Sequence, residues 1–261
     1  VCIIALFVTF VMITGGIDIQ ASALIGLTSI CIGVLWSDVG LNIWTAVLLA
    51  MLLSTLCGAL SGYFIAYCGV QPMVVTLGGS LLYSGLALLI SGLSKTPAYQ
   101  GISGFPAKAA NGSFQGFRFL GKGMLFGTIP VPVAIYAVLI LLCFILLHRT
   151  KYGRKVFLIG VNPEAAEYSG INSRLIVMST YILTSIGASI AGVLLTANID
   201  SAKYDLGSTF TLSIITAVVL GGTLSTGGKG SILGTVLASL MICIMRYGLP
   251  LCFGIKTQSL D

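Results

Sequence analysis

Few residues in this chain have the types and spacing that bond-making chemistry requires. There is one histidine, His148, and there are seven cysteines (Cys2, Cys31, Cys57, Cys68, Cys143, Cys243 and Cys252) scattered through or beside apolar runs with no paired spacing. That pattern reads as small buried hydrophobes and excludes a disulfide framework or a metal box. Gly101-Ile102-Ser103-Gly104 has the Gly-x-Ser-Gly pattern of some intramembrane serine proteases, but His148 lies at the far end of the next apolar run. A nucleophile needs its base within hydrogen-bond reach, so no acyl-transfer pair is expected. Gly222–Gly230, GTLSTGGKG, looks like a phosphate-binding loop until its details are read. After Gly222-xxxx-Gly227 comes Gly228 rather than Lys, Lys229 precedes Gly230 rather than Ser or Thr, and the run before it is long and helix-like. The chain is expected to be non-catalytic and to carry no nucleotide, metal or other cofactor of its own.

The acid that stands out is Asp18, in Thr14–Gly26, TGGIDIQASALIG, where an apolar run stops at two glycines, admits one carboxylate and resumes. A carboxylate well inside a bilayer costs roughly 2.5–3.5 kcal/mol on insertion scales, so such a group faces a cavity or a partner. Two readings stand together. Asp18, with Ser22, could cap the free amides that open the next helix; or it could line or gate a path.

The elements that must position these residues follow from composition. Hydrophobic residues make up 57% of the chain and charged residues 8%, against about 25% charged in soluble domains. A soluble fold could not cover that apolar surface. The expected class is an all-α polytopic membrane protein, a single transmembrane domain over residues 1–261. Eight apolar segments are expected at about 1–14, 21–36, 42–67, 72–93, 129–148, 174–197, 211–224 and 231–248. The 33 glycines suit close helix packing, and Gly58 and Gly62, with Ser54 one step earlier, put a small-residue face on the third segment. The net charge of +6 is spread over loops and is no nucleic-acid signature. Val1 opens inside an apolar run and the chain stops soon after a span, so truncation at both ends is expected.

Two loops divide the chain. His148–Arg174 carries Arg149, Lys151, Arg154, Lys155 and Arg174, and its density of positive charge assigns it to the cytoplasm. Alternation then places Ser94–Thr128, Ser37–Leu41 and Asn198–Phe210 outside, and Cys68–Gln71, Ser225–Gly230 and the opening break inside. Within the basic loop, Asn162-Pro163-Glu164 is a helix start, with a cap, Pro at the first helical position and acid in the first turn. A faint internal echo pairs Gly15-Gly16, followed by Ser22 and Gly26, with Gly221-Gly222, followed by Ser231 and Gly234. Paired Gly-interrupted segments point to a transport site.

Four stretches in order carry a family resemblance: GGIDI at Gly15–Ile19, QPMVVTLG at Gln71–Gly78, YGRKVFLIGVNPEAAEYSGI at Tyr152–Ile171 and AVVLGGTLSTGGKGSILGT at Ala217–Thr235. The chain resembles the membrane permease subunits of ribose-type ABC sugar importers over nearly its whole length. Within that family, VQPMVVTLGG, YQGISGFP and SAKYDLGSTF look most like a permease of the autoinducer-2 importers. The resemblance implies a fold of about ten spans, eight of them present here, in the bacterial inner membrane. It also implies three partners: a second permease subunit, a cytoplasmic ATP-binding subunit and a periplasmic substrate-binding protein. It implies that residues 149–174 form a coupling loop in which Asn162, Glu164, Ala165 and Ala166 dock on the ATPase. Gly15, Gly16, Asp18, Gln20, Gly221 and Gly222 are the implied path residues. The cargo would be autoinducer-2, with ribose or another monosaccharide, or flux through an ATP-independent channel, as the alternatives. Three positions depart from the family pattern: Gln20 stands where Ser is usual, Met73 where Phe is usual and Ser61 where Asn is common.

Overall fold

The structure is a computed structural model of the chain and describes residues 1–94, 112–125 and 127–252. Its helices, in chain order, are α1 (Cys2–Ile13), α2 (Ala21–Ser37), α3 (Ile43–Ala66), α4 (Pro72–Leu93), α5 (Gly112–Lys122) and α6 (Val131–Phe144), which runs on as a π-helical turn at Ile145–Arg149. They continue as α7 (Lys151–Val161), α8 (Pro163–Tyr168), α9 (Ser173–Ile199), α10 (Thr211–Leu220) and α11 (Ile232–Cys252). Each of the eight apolar segments therefore becomes a helix. Among the described residues four helices are long and apolar enough to cross a membrane: Ile43–Ala66, Pro72–Leu93, Val131–Arg149 and Ser173–Ile199. Cys2–Ile13, Ala21–Ser37, Ser208–Leu220 and Ile232–Arg246 are apolar but shorter.

Helix starts follow local chemistry. Asn42 accepts the Trp44 amide, Thr150 that of Gly153, Asn162 that of Ala165 and Asn172 that of Leu175, each covering an amide that helix geometry leaves free. Pro72 and Pro163 open α4 and α8, where the missing N–H costs nothing.

The core is built around α1 and α9. Ile4 to Ile13 of α1 are all buried, as expected for a helix that is apolar all round. The small-residue face of α3 packs on α9. A Cβ at Gly58 would overlap the Ser185 side chain, one at Gly62 would come within 3.0 Å of the Met178 carbonyl oxygen, and Ser54 Oγ donates to the Ser185 carbonyl at 3.4 Å. The outward faces of α3, α4 and α6 are leucine-rich; Leu52, Leu56, Leu81, Leu88 and Leu141 are exposed. Such faces suit hydrocarbon rather than water.

Contacts sort the connections between the two ends of the bundle. At one end Trp36 stacks on Phe114 at 5.1 Å. There Asp200, in a left-handed conformation at φ 54°, pairs with Arg118 (3.2 Å) and Lys122, fixing α5 to the end of α9. At the other end the turn after α3, the 149–174 segment and both Gly-interrupted breaks meet. This grouping of loops follows the alternation read from sequence. Three features differ from that reading. Ser94–Thr128 is not all loop: within it lie α5 and a two-residue hairpin pairing Met124 with Pro130 and Leu125 with Ile129. Lys151–Val161 is helical although its glycines and charges gave no such signal. And 201–210 does not stay at its end but folds back into the bundle. The Lys203 amide donates to Ser29 Oγ (3.3 Å), a Cβ at Gly26 would overlap the Tyr204 carbonyl, and Gly207 lies against Ser22 and Ile25. From Ser37 to Ser22 is 15 residues of α2, a descent of roughly 20 Å at helical rise. Irregular backbone at that depth needs protein around it, and Ala202 and Gly207 are buried.

Candidate functional site: two helix breaks between two clefts

The echo seen in sequence is a repeated backbone motif, displaced by one residue from the pairing expected. In α1 the Gly15 amide donates to Met12 O and the Gly16 amide to Val11 O. In α10 the Gly222 amide donates to Val219 O and the Thr223 amide to Val218 O. These are two Schellman caps, with Gly15 (φ 82°) and Gly222 (φ 87°) in the equivalent left-handed position. Gly15 thus matches Gly222, and Gly16 matches Thr223; Gly221 itself is right-handed and is glycine for another reason. A Cβ there would come within 2.6 Å of the Thr235 backbone at the start of α11.

The two breaks touch. The Gly228 amide donates to Ile13 O at 2.9 Å, and a Cβ at Gly227 would sit 2.9 Å from both the Gly15 nitrogen and Ile13 O. Gly160 of α7 enters the same junction; a Cβ on it would overlap Ile13 O and reach within 2.5 Å of the Gly228 nitrogen. Three backbones, α1, α7 and the loop before α11, therefore meet with no side chain between them. Several amides of the GTLSTGGKG stretch are bonded within the protein: Leu224 N donates to Lys229 O, Gly227 N to Leu224 O and Gly228 N to Ile13 O. Gly101–Gly104 lies outside the described residues.

Between Gly16 and Gln20 the chain runs as irregular backbone inside the bundle. Asp18 is 2% exposed and Gln20 fully buried. Asp18 Oδ1 accepts the Gln20 amide at 3.1 Å, so the carboxylate does close the chain before α2. Ser22 caps no amide: its hydroxyl donates to Ile19 O (3.2 Å) and bonds Thr211 Oγ1 across to α10 (2.6 Å). Gln20 Oε1 accepts from Ser61 Oγ at 2.7 Å; Ser61 Oγ lies 3.1 Å from the Tyr83 hydroxyl, which donates to Cys57 O at 2.9 Å. Thr76 of α4 donates to Ile17 O at 3.1 Å. Gly16 lies against Tyr181 of α9, where a Cβ would overlap the phenol oxygen. Asp18 Oδ2, Gln20 Nε2 and the Tyr181 hydroxyl find no hydrogen-bond partner among the described residues. Ser61, Thr76, Tyr83 and Tyr181 did not stand out in the sequence as site residues. Of these only Ser61 carried a signal, as a departure from the family pattern, and the structure bonds it to Gln20, another departure.

On either side of this segment lies a cleft. The first, about 380 Å³, is lined by Ser22 and Ala23 of α2, Ser80, Ser84, Gly85 and Leu88 of α4, the folded-back Tyr204, Asp205, Leu206 and Ser208, and Thr211. The second, about 340 Å³, opens at the end that holds the basic loop, and Thr14, Ile65, Gln71, Pro72, Ile159, Glu167, Ser173 and Arg174 are among its walls. Thr14 borders one cleft and Ser22 the other, so the 15–21 segment is the floor between them. α4 runs past both, and Thr76, Gly79 and Tyr83 flank the floor. Both volumes fall in the range of small-ligand sites.

The expected coupling residues are gathered at the second end. α8 stands out from the bundle: Asn162, Glu164, Ala165 and Glu167 are exposed, Tyr168 is 93% exposed, and only Ala166 is buried. α7 anchors it through Val156 and Ile159, both buried, and through Tyr152, whose hydroxyl lies 2.7 Å from Ser179 Oγ. Burial pushes the Tyr152 phenol above its usual range, and the bond to Ser179 opposes the shift.

Comparison with known proteins agrees with this architecture. The family described as branched-chain amino acid transport system / permease component matches residues 1–255. The autoinducer 2 import system permease protein LsrD of Yersinia enterocolitica is 43% identical over 249 residues, 95% of this chain and 72% of that protein. LsrD of Salmonella typhimurium is 40% identical over 256 residues, 98% of this chain and 74% of that one. No solved structure matches. With its helices, its paired breaks and a family match over nearly every residue, the chain belongs to this family of membrane transport permeases and is a transport component rather than a catalyst.

Proposed function

We propose that this chain is a permease subunit of an ATP-driven importer in the bacterial inner membrane and that its cargo is autoinducer-2. The observation that carries the cargo is the 40–43% identity, over 95–98% of this chain, to permeases of autoinducer 2 import systems. The geometry supports the mechanism. α8, exposed along most of its length, docks on a cytoplasmic ATP-binding subunit through Asn162, Glu164 and Ala165, while Ala166 holds it to the bundle. α7 ends at the junction where Gly160 meets both breaks, so a shift of α8 is delivered to Gly15-Gly16 and Gly221-Gly222 without passing through flexible side chains. The floor around Asp18 and Gln20 then separates a cleft facing a periplasmic binding protein from one facing the cytoplasm. A second permease subunit completes the path.

The test is uptake in a host that keeps the remaining importer subunits and lacks its own copy of this permease. The parent chain restores ATP-dependent depletion of autoinducer-2 from the medium. Glu164→Arg combined with Ala165→Trp abolishes it while the subunit still inserts and folds. Full import by that variant removes the docking role, and flux without the ATP-binding subunit replaces the importer with a passive channel.

A further inference from the structure

We propose that the floor between the two clefts is a ligand-reading station, in which Asp18 Oδ2, Gln20 Nε2 and the Tyr181 hydroxyl hydrogen-bond a neutral, hydroxyl-bearing ligand as it crosses. The inference rests on the reading of this chain as a path-forming permease and adds the chemistry by which the path selects its cargo.

Three observations carry it. Asp18 is 2% exposed, Gln20 and Tyr181 are fully buried, and each has one polar atom with no partner among the described residues. A buried polar group left unpaired is costly, so three in one neighbourhood call for an occupant. They do share a neighbourhood. Gly16, two residues before Asp18, lies against the Tyr181 hydroxyl, and Gln20, two residues after it, reaches Tyr83 through Ser61. The segment they sit on also divides two clefts large enough for a small ligand.

The atom types define the ligand. A carboxylate oxygen accepts, an amide NH2 donates and a phenol does either, which matches a set of neighbouring hydroxyl and carbonyl groups. The cleft on the α5 side repeats the pattern with serine and threonine hydroxyls and the Asp205 carboxylate, and among the described residues no Lys or Arg lines it. An anionic ligand would meet like charge there. A zwitterionic amino acid would find no cation for its carboxylate among the described lining residues. The bonds that hold the floor closed, Thr76 to Ile17 O and Ser61 to Gln20 Oε1, are of the kind ligand hydroxyls replace, so passage exchanges one partner set for another.

The experiment uses the complete importer in proteoliposomes and measures autoinducer-2 imported per ATP hydrolysed. Tyr181→Phe removes one oxygen, and Asp18→Asn keeps the Oδ1 acceptor while replacing the other oxygen with a donor. Tyr136→Phe, which removes a half-buried phenol oxygen 3.4 Å from Ser239 Oγ elsewhere in the bundle, is the control. Each floor variant is expected to lower the import-to-ATP ratio by roughly tenfold, the scale of one lost buried hydrogen bond, with the Tyr136→Phe ratio unchanged. Ratios within twofold of the parent in both floor variants overturn the inference and leave the proposed function standing. A fall in folded yield with an unchanged ratio per assembled complex marks the cluster as structural only and also overturns it. Import of L-leucine by the parent complex overturns the ligand class. A parent that imports no autoinducer-2 overturns the proposed function and this inference with it.

Discussion

Gly160→Ala is the smallest perturbation that reaches the junction of the two breaks. The added Cβ would overlap the Ile13 carbonyl oxygen and lie 2.5 Å from the Gly228 nitrogen, where ordinary contact begins at 3.4 Å. Both neighbours are backbone, so no side chain can rotate away. The Gly228 contact alone demands about 0.9 Å of retreat, and overpacking of this kind costs roughly 1–3 kcal/mol. The retreat parts Gly228 N from Ile13 O, now 2.9 Å apart, and losing that bond adds about 0.5–1.5 kcal/mol. The expected destabilisation is about 1.5–4.5 kcal/mol, measured by denaturant unfolding of the purified subunit in mixed micelles. Import per folded subunit should fall further than stability alone explains, because α8 begins three residues later and pushes through this contact. Gly78→Ala is the matched control. It lies mid-helix in α4 with nothing within 4 Å of its Cβ, so it should be neutral or gain up to about 1 kcal/mol from helix propensity. A Gly160→Ala subunit as stable as the parent, importing at the parent rate, would refute both the junction and its role in transmission.

Two further expectations bear on packing. Gly58→Ala should destabilise by roughly 1–3 kcal/mol by driving into Ser185, and Ser185→Gly in the same chain should recover at least about 1 kcal/mol of that; additivity within ~0.5 kcal/mol would show that the α3–α9 contact is not as described. Cys2 and Cys243 have thiol sulfurs 3.5 Å apart on α1 and α11, so a mild membrane-permeant oxidant should join them. The bond should appear as a disulfide-linked pair of fragments after cleavage of the chain and should vanish in Cys2→Ser; its absence in the parent would separate these helices.

The sequence made the apolar helices legible because hydrocarbon imposes a simple requirement, long apolar runs with satisfied backbones. The segment from Ala21 and the cap at Asn162 could be placed to the residue because glycine, proline and asparagine act locally. Where the fold was not legible, tertiary contacts had replaced local signal. α7 carries two glycines and four positive charges in and just before it, yet it is helical because Val156 and Ile159 bury one stripe and Gly153 and Gly160 permit backbone contact. The 201–210 segment has the polarity of an outer loop. It folds inward because Gly26 and Gly207 let two backbones close on each other, a fact about partners that no single stretch contains.

The site shows the same division. Gly15-Gly16, Asp18 and Gly221-Gly222 could be found because each breaks a local rule: glycine pairs interrupting helices, and a charge among apolar residues. The off-by-one pairing of the breaks could not, since only backbone dihedral angles tell that Gly222, not Gly221, is the left-handed residue. Ser61, Thr76, Tyr83 and Tyr181 break no rule, for small hydroxyls and tyrosines are ordinary in spans. They matter because they close around a segment that had to leave helical geometry. Once Gly16–Gln20 becomes irregular, its carbonyls lose their helical donors, and Thr76 supplies one of them. Gln20 reaches α3, where Ser61 Oγ donates to its Oε1 at 2.7 Å. A helix break in hydrocarbon thus requires its own set of partners, and among the described residues that set is incomplete at three atoms, Asp18 Oδ2, Gln20 Nε2 and the Tyr181 hydroxyl.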